Sequence, residues 1–263
     1  MKGSAVLLAW RQLQKPAYGY AAAIAAYILL LAWLYPSVAT NPAVTRLMHS
    51  LPPALLKLAG ISSNFSTYTG YMASEFYSVI DIWVLMWFVV MQATQLMGAP
   101  RQNHSLQWWL STPTSRTEWV LGQALALGAA LLLLTGVATG AGILGAWWWN
   151  GGHLHWAAFL WLNFIALMVS ALIAAYSLML LTVVQTPGWP LSITLVLYGM
   201  NLIGGLSAKL AFLSNLSVFG IYQPGQIVAG ATPTVFAMVG FLVAIGLFVT
   251  LACILFNRQD LAL

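Results

Sequence analysis

Long apolar runs separated by short polar punctuation make up almost the whole chain. Six of these runs, roughly 17–35, 76–97, 117–147, 156–184, 189–210 and 234–256, reach the length of about 18 residues that marks a spanning helix. The pattern predicts an all-α, polytopic membrane protein with a single transmembrane domain over 1–263. Ahead of the first run, residues 2–15 place Val6, Leu7, Trp10 and Leu13 on one side and Arg11, Gln12, Gln14 and Lys15 on the other. That division predicts a helix lying in the membrane interface, with contact to a partner as the alternative. Between the first two runs, the segment 36–75 carries turn signals at Pro36, Asn41-Pro42 and Pro52-Pro53. Its amphipathic pieces are too short to cross, so they form a lid or a connection on the outer surface. A second outer segment, 209–234, precedes the last run.

One polar interruption, 97–123, has internal structure. Leu106, Trp109 and Leu110 fall at i, i+3 and i+4, the apolar stripe of a short amphipathic helix. Thr112-Pro113 ends that helix, because the residue before proline is pushed from helical geometry and Pro113 has no amide proton. Ser115-Arg116-Thr117-Glu118 then reads as a capping box, so the third spanning helix is expected to start near Ser115. With apolar runs on both sides, the loop 98–116 must sit at a membrane surface. It has the character of a segment held by another protein; the alternative is that its stripe lies on the bilayer.

Composition agrees, with 61% hydrophobic and 5% charged residues against about 25% charged in soluble domains. The positive charges set an orientation. With the N-terminus inside, Lys2, Arg11, Lys15, Arg101, Arg116 and Arg258 are cytoplasmic, and Arg46, Lys57 and Lys209 are outside. Basic residues gather on cytoplasmic loops, so N-in and C-in is expected. The net charge of +5 is explained by this distribution and requires no nucleic-acid partner. A cleavable signal peptide is not expected, since the first apolar run follows sixteen residues of other character. The single Cys253 excludes an intrachain disulfide.

Polar residues inside the spans are candidates for function. Asp81, Gln92 and Gln95 return to within about 60° of one another on a helix of 3.6 residues per turn, which gives the second span a polar face. Asp81 either lines a pathway or is stabilised near the positive N-terminal end of its helix. Asn201 in the fifth span is a further pathway candidate. Gly136 and Gly140 form a GxxxG to which Gly128, Gly142 and Gly145 add small contacts, and Asn163, Ser170 and Ser177 form a seam at seven-residue spacing; both patterns point to helix packing. Trp147, Trp148, Trp149 and Trp156 bracket an outer loop as an interfacial belt. His153 and His155 lack a third ligand, so no metal site is expected, and no catalytic constellation is legible. An intramembrane enzyme is therefore the weakest alternative.

The stretch 105–127, SLQWWLSTPTSRTEWVLGQALAL, resembles the segment between the second and third helices of ABC-2 type permeases. That family's LLxxPxSRxxxxxGK pattern is matched by Leu110, Pro113, Ser115, Arg116 and Gly122, with Gln123 in place of the usual lysine. LSNLSVFGIYQPGQIVAG, 213–230, is similar to the family's outer segment before the last helix, and FNRQDL, 256–261, to its closing F-x-R-x-D-L. The resemblance implies the membrane subunit of an ATP-binding cassette exporter, in which the 2–3 loop carries a cytoplasmic coupling helix. Leu106, Trp109, Leu110, Arg116 and Glu118 would then serve ATPase coupling. It also implies a second permease chain, identical or paralogous, and two copies of a separate ATPase. Because G-x-x-x-x-G-K-[ST] is missing from the sequence, ATP and Mg are assigned to that partner and no cofactor to this chain. The expected setting is a bacterial cell membrane, and the mixed Trp, Met, Thr and Gln content suits an amphipathic drug, peptide or lipid. A sensor or mechanical transmitter that uses the same ATPase without moving a substrate is the alternative.

Overall fold

The computed structural model describes residues 4–39, 41, 65–102, 115–184, 186–206 and 208–259. All regular structure among them is helical. Helix α1 spans Ser4–Ala39. The second membrane element is composite: α2 (Tyr68–Met72), a wide π-type turn (Ala73–Tyr77), α3 (Ile80–Ala93), a second π-type turn (Thr94–Gly98) and α4 (Ala99–Gln102). Then come α5 (Arg116–Trp149), α6 (Trp156–Val183) and α7 (Gly188–Leu206). A folded connection follows, built from α8 (Ala211–Leu216), a 3-10 turn (Val218–Ile221) and α9 (Pro224–Val228), before α10 (Val235–Asn257). Among the described residues six elements are long and apolar enough to cross a membrane; five lie within a few residues of the runs predicted from sequence, and the first begins well ahead of its predicted run, at Ala5.

The segment 2–15, expected in the interface, is continuous with the first span from Ser4 onward. Its packing face is Ala9, Leu13 and Ala17, all at most 2% exposed, and Leu7 from the predicted apolar side is 53% exposed. The reason is a close helix pair. A methyl added at Gly122 of α5 would stand 2.9 Å from the Ala5 methyl, and one at Gly145 would collide with Ala32. Small residues let the backbones approach, so α1 and α5 run parallel from Ala5 beside Gly122 to Ala32 beside Gly145. Gly136 and Gly140, the GxxxG pair, face open space instead. The seam of Asn163, Ser170 and Ser177 is buried in α6, at 6%, 4% and 0% exposure.

Helix α6 is central: sixteen of its 28 residues are buried, against three of 23 in α10. It packs against α3, α5 and α10. Aromatic rings fill the bundle between α1, the second element and α6, with Tyr35, Tyr68, Phe76, Tyr77 and Phe159 in edge-on or tilted contacts. The Tyr68 hydroxyl donates to Gly142 O at 2.9 Å and Tyr35 to Ser66 O at 2.7 Å, so these rings also bind neighbouring backbone. Asn257 at the end of α10 meets Thr117 at the start of α5. Both described chain ends therefore lie at one end of the bundle, called the terminal end below; the other is the far end. The capping box is formed as predicted: Ser115 Oγ accepts from Glu118 N and the Glu118 carboxylate accepts from Ser115 N.

Gly145→Val should lower stability by about 1–3 kcal/mol, the usual effect of overpacking a tight contact. Gly136→Val, in open space, should leave it unchanged or raise it slightly through better helix propensity. Thermal unfolding in detergent micelles, followed by tryptophan fluorescence, checks this; equal melting temperatures for the two variants would refute the packing assignment.

Candidate functional site

The far end holds a polar cluster built by the connection between α7 and α10. Asp81 lies in the first turn of α3, just after the break that separates it from the π-type turn. It is 2% exposed, and the Tyr222 hydroxyl donates to its Oδ2 at 3.0 Å. Tyr222 follows the 3-10 turn Val218–Ile221 and is itself buried. Burial, and next the Asp81 charge, push the Tyr222 phenol well above its usual range, so it remains a donor at physiological pH. The Tyr77 hydroxyl is buried beside Asp81 and Asn163 but makes no hydrogen bond of normal geometry. Asn163 directs its Nδ2 to Phe159 O at 2.9 Å.

A second set of bonds fixes the same connection to α7. Ser214 Oγ donates to Asn201 Oδ1 at 2.8 Å, and Ser217 Oγ donates to Leu197 O at 2.7 Å. Ser217 Oγ also accepts from Phe219 N at 3.1 Å, capping the 3-10 turn. Tyr198 stands edge-on to both Phe219 and Trp83, each with centroids 5.4 Å apart, and so joins the connection to α7 and α3. The connection is thus pinned at Asp81 on one side and Asn201 on the other.

Of the pathway candidates, Asp81 and Asn201 both belong to this far-end assembly, each through a bond to the connection. Gln92 is half-buried and Gln95 exposed, toward the opposite end of the second element. The shared helix face predicted from spacing therefore has different neighbours along its length. The far-end connection covers Asp81, whereas Gln95 is exposed.

At the terminal end, Arg116 and Glu118 are described; Leu106, Trp109 and Leu110 lie outside the described residues. Glu118 is engaged in the cap of α5. Arg116 Nη1 donates to Gln259 O at 2.7 Å and to Asn257 O at 3.3 Å. Asn257 Nδ2 donates to Thr117 Oγ1 at 3.0 Å, Gln259 Nε2 donates to Thr182 O, and Trp119 stacks on Phe256 with centroids 5.1 Å apart. Sequence reasoning did not single out Tyr222, Tyr77, Ser214 or Gln259. Tyr222 sits between apolar and Pro-Gly positions of 213–230, and no spacing rule links it to Asp81, 141 residues away.

In comparisons with known proteins, no family model matches the chain and no curated protein aligns with it significantly. What the fold itself defines is, among the described residues, an all-helical architecture with six helices long and apolar enough to cross a membrane.

Tyr222→Phe removes the donor to a buried acceptor and should destabilise the fold by about 1–3 kcal/mol. Asp81→Asn keeps an acceptor oxygen and should cost less, whereas Asp81→Leu should match Tyr222→Phe. In a double-mutant cycle, the combination of Asp81→Leu with Tyr222→Phe should cost little more than either alone. Additive losses would show that the two side chains do not depend on each other.

Proposed function

We propose that the chain is the membrane-spanning permease subunit of an ATP-binding cassette exporter of the ABC-2 type. A separate ATPase, in two copies, supplies ATP hydrolysis, and a second permease chain completes the complex. The terminal end is then cytoplasmic, and the far-end connection faces outside. The substrate class is amphipathic: a drug, a peptide or a lipid.

The observation that carries this reading is the joint at the terminal end. Two of the three stretches that bear the family resemblance, 105–127 and 256–261, are distant in sequence yet meet through Arg116, Thr117, Asn257 and Gln259. The joint begins one residue after the Ser115 cap, so it adjoins the loop in which sequence places the coupling helix. The third stretch, 213–230, is the one that folds over Asp81. A mechanical transmitter is the second reading, favoured by the engagement of Asp81 and Asn201 in bonds within the chain, which leaves them less free to line a path. Vesicles containing the complex separate the two: substrate-stimulated hydrolysis without movement of the stimulating compound identifies a transmitter.

The orientation is tested with Ser105→Cys in a Cys253→Ala background. The cysteine should resist an impermeant maleimide in intact cells and react after permeabilisation. Reaction in intact cells would reverse the topology.

Coupling is tested at Trp109. As a buried anchor of a helix held in a groove, its truncation should cost about 2 kcal/mol, or roughly thirtyfold in ATPase affinity. Gln107→Ala, on the opposite side of the stripe, should have little effect. Equal recovery of the ATPase with wild-type, Trp109→Ala and Gln107→Ala permeases would leave the coupling assignment without support.

A further inference from the structure

Three helix ends are joined at the terminal end by side chains that do not belong to one helix. The end of α10 is closed by Arg116 from the start of α5, whose guanidinium takes the carbonyls of Asn257 and Gln259. A cation at a helix C-terminus is doubly favoured there, by hydrogen bonding to orphan carbonyls and by the helix dipole. Gln259 extends the connection to α6 by donating to Thr182 O, near that helix's last turn. The Asn257–Thr117 bond and the Trp119–Phe256 stack also join the ends of α5 and α10.

We propose that Arg116 and Gln259 form a bracket that makes the ends of α5, α6 and α10 move as one body, so that Arg116 serves coupling as a positioning residue within the chain and not as a contact to the ATPase. This rests on the permease reading. A displacement of the loop before Ser115 would reach α5 directly, and at the terminal end the bracket adds a polar link to α6 beside the packing of α6 on α3, α5 and α10. Truncating Gln259 alone removes this link to the end of α6 and leaves Arg116, α5 and the packed faces of α6 in place.

The test uses the complex of permease and ATPase in membranes, with Trp156→Cys in a Cys253→Ala background as the reporter. Trp156 is 53% exposed and starts α6 at the far end, opposite the bracket. Trapping the complex with ATP and vanadate should change the rate at which a maleimide labels this cysteine. With Gln259→Ala the ATPase should still co-purify, and the trapping-dependent change should shrink about tenfold, within the usual range of coupling between distant sites. Arg116→Gln should behave like Gln259→Ala, and Arg116→Lys, which keeps one charged donor, should fall between it and wild type. An unchanged reporter response in Gln259→Ala and Arg116→Gln, with the ATPase bound, would overturn the bracket alone. Loss of the ATPase in Arg116→Gln, with normal recovery in Gln259→Ala, would instead make Arg116 a contact residue. Wild-type permease that retains no ATPase would overturn the permease reading and the coupling role with it.

Discussion

A helix leaves its last carbonyls and first amides without partners inside the helix, so each end must be closed by side chains, neighbouring chain or water. This chain closes several such ends with its own side chains. Ser115 and Glu118 cap the start of α5 reciprocally, Arg116 closes the end of α10, and Gln259 reaches the end of α6. The placement of three spanning helices relative to one another therefore follows from how their ends are satisfied as well as from how their faces pack.

Face packing obeys a different constraint. Inside a bilayer there is little hydrophobic gain in bringing two helices together, so close approach of small residues supplies the contact. The parallel pair of α1 and α5 meets this with Ala5, Gly122, Ala32 and Gly145. The same pair explains why α1 runs unbroken from Ser4, since Ala9 and Leu13 continue the buried face of Ala17 and Ala21. Around this pair the aromatic rings of the second element fill the space up to α6, and their hydroxyls bind nearby backbone where the geometry allows.

The far end shows how a connection rather than a helix becomes ordered. Its short elements cannot bury much surface alone, yet Tyr222 reaches Asp81, Ser214 reaches Asn201, and Phe219 packs on Tyr198. Polar residues in membrane helices that would otherwise be costly are in this way used to hold a covering segment. The buried Tyr77 hydroxyl beside them makes no regular hydrogen bond among the described residues.

What the sequence determined by itself was the local part of the structure. Six helices long and apolar enough to span a membrane were legible because an unbroken apolar run of that length marks such a helix directly. The Ser115 cap was legible because its two bonds join residues three apart. Contacts between distant residues were not legible. The GxxxG of Gly136 and Gly140 points to a packing face, but a glycine spacing does not say which side of a helix meets a neighbour: those two and Gly128 face open space, whereas Gly142 and Gly145 make the small-residue contacts the sequence suggests and Gly122 adds a third. Asp81 was open to two readings, dipole-stabilised or lining a path. Its burial under Tyr222 came only from a connection that folds back after α7. The sequence likewise marks Arg116 only within a local pattern, while its bonds to Asn257 and Gln259 depend on α10 returning the chain to the terminal end. Periodicity and caps are properties of neighbours along the chain, whereas the partner of a buried polar group is decided by which helices the packing of small residues brings together.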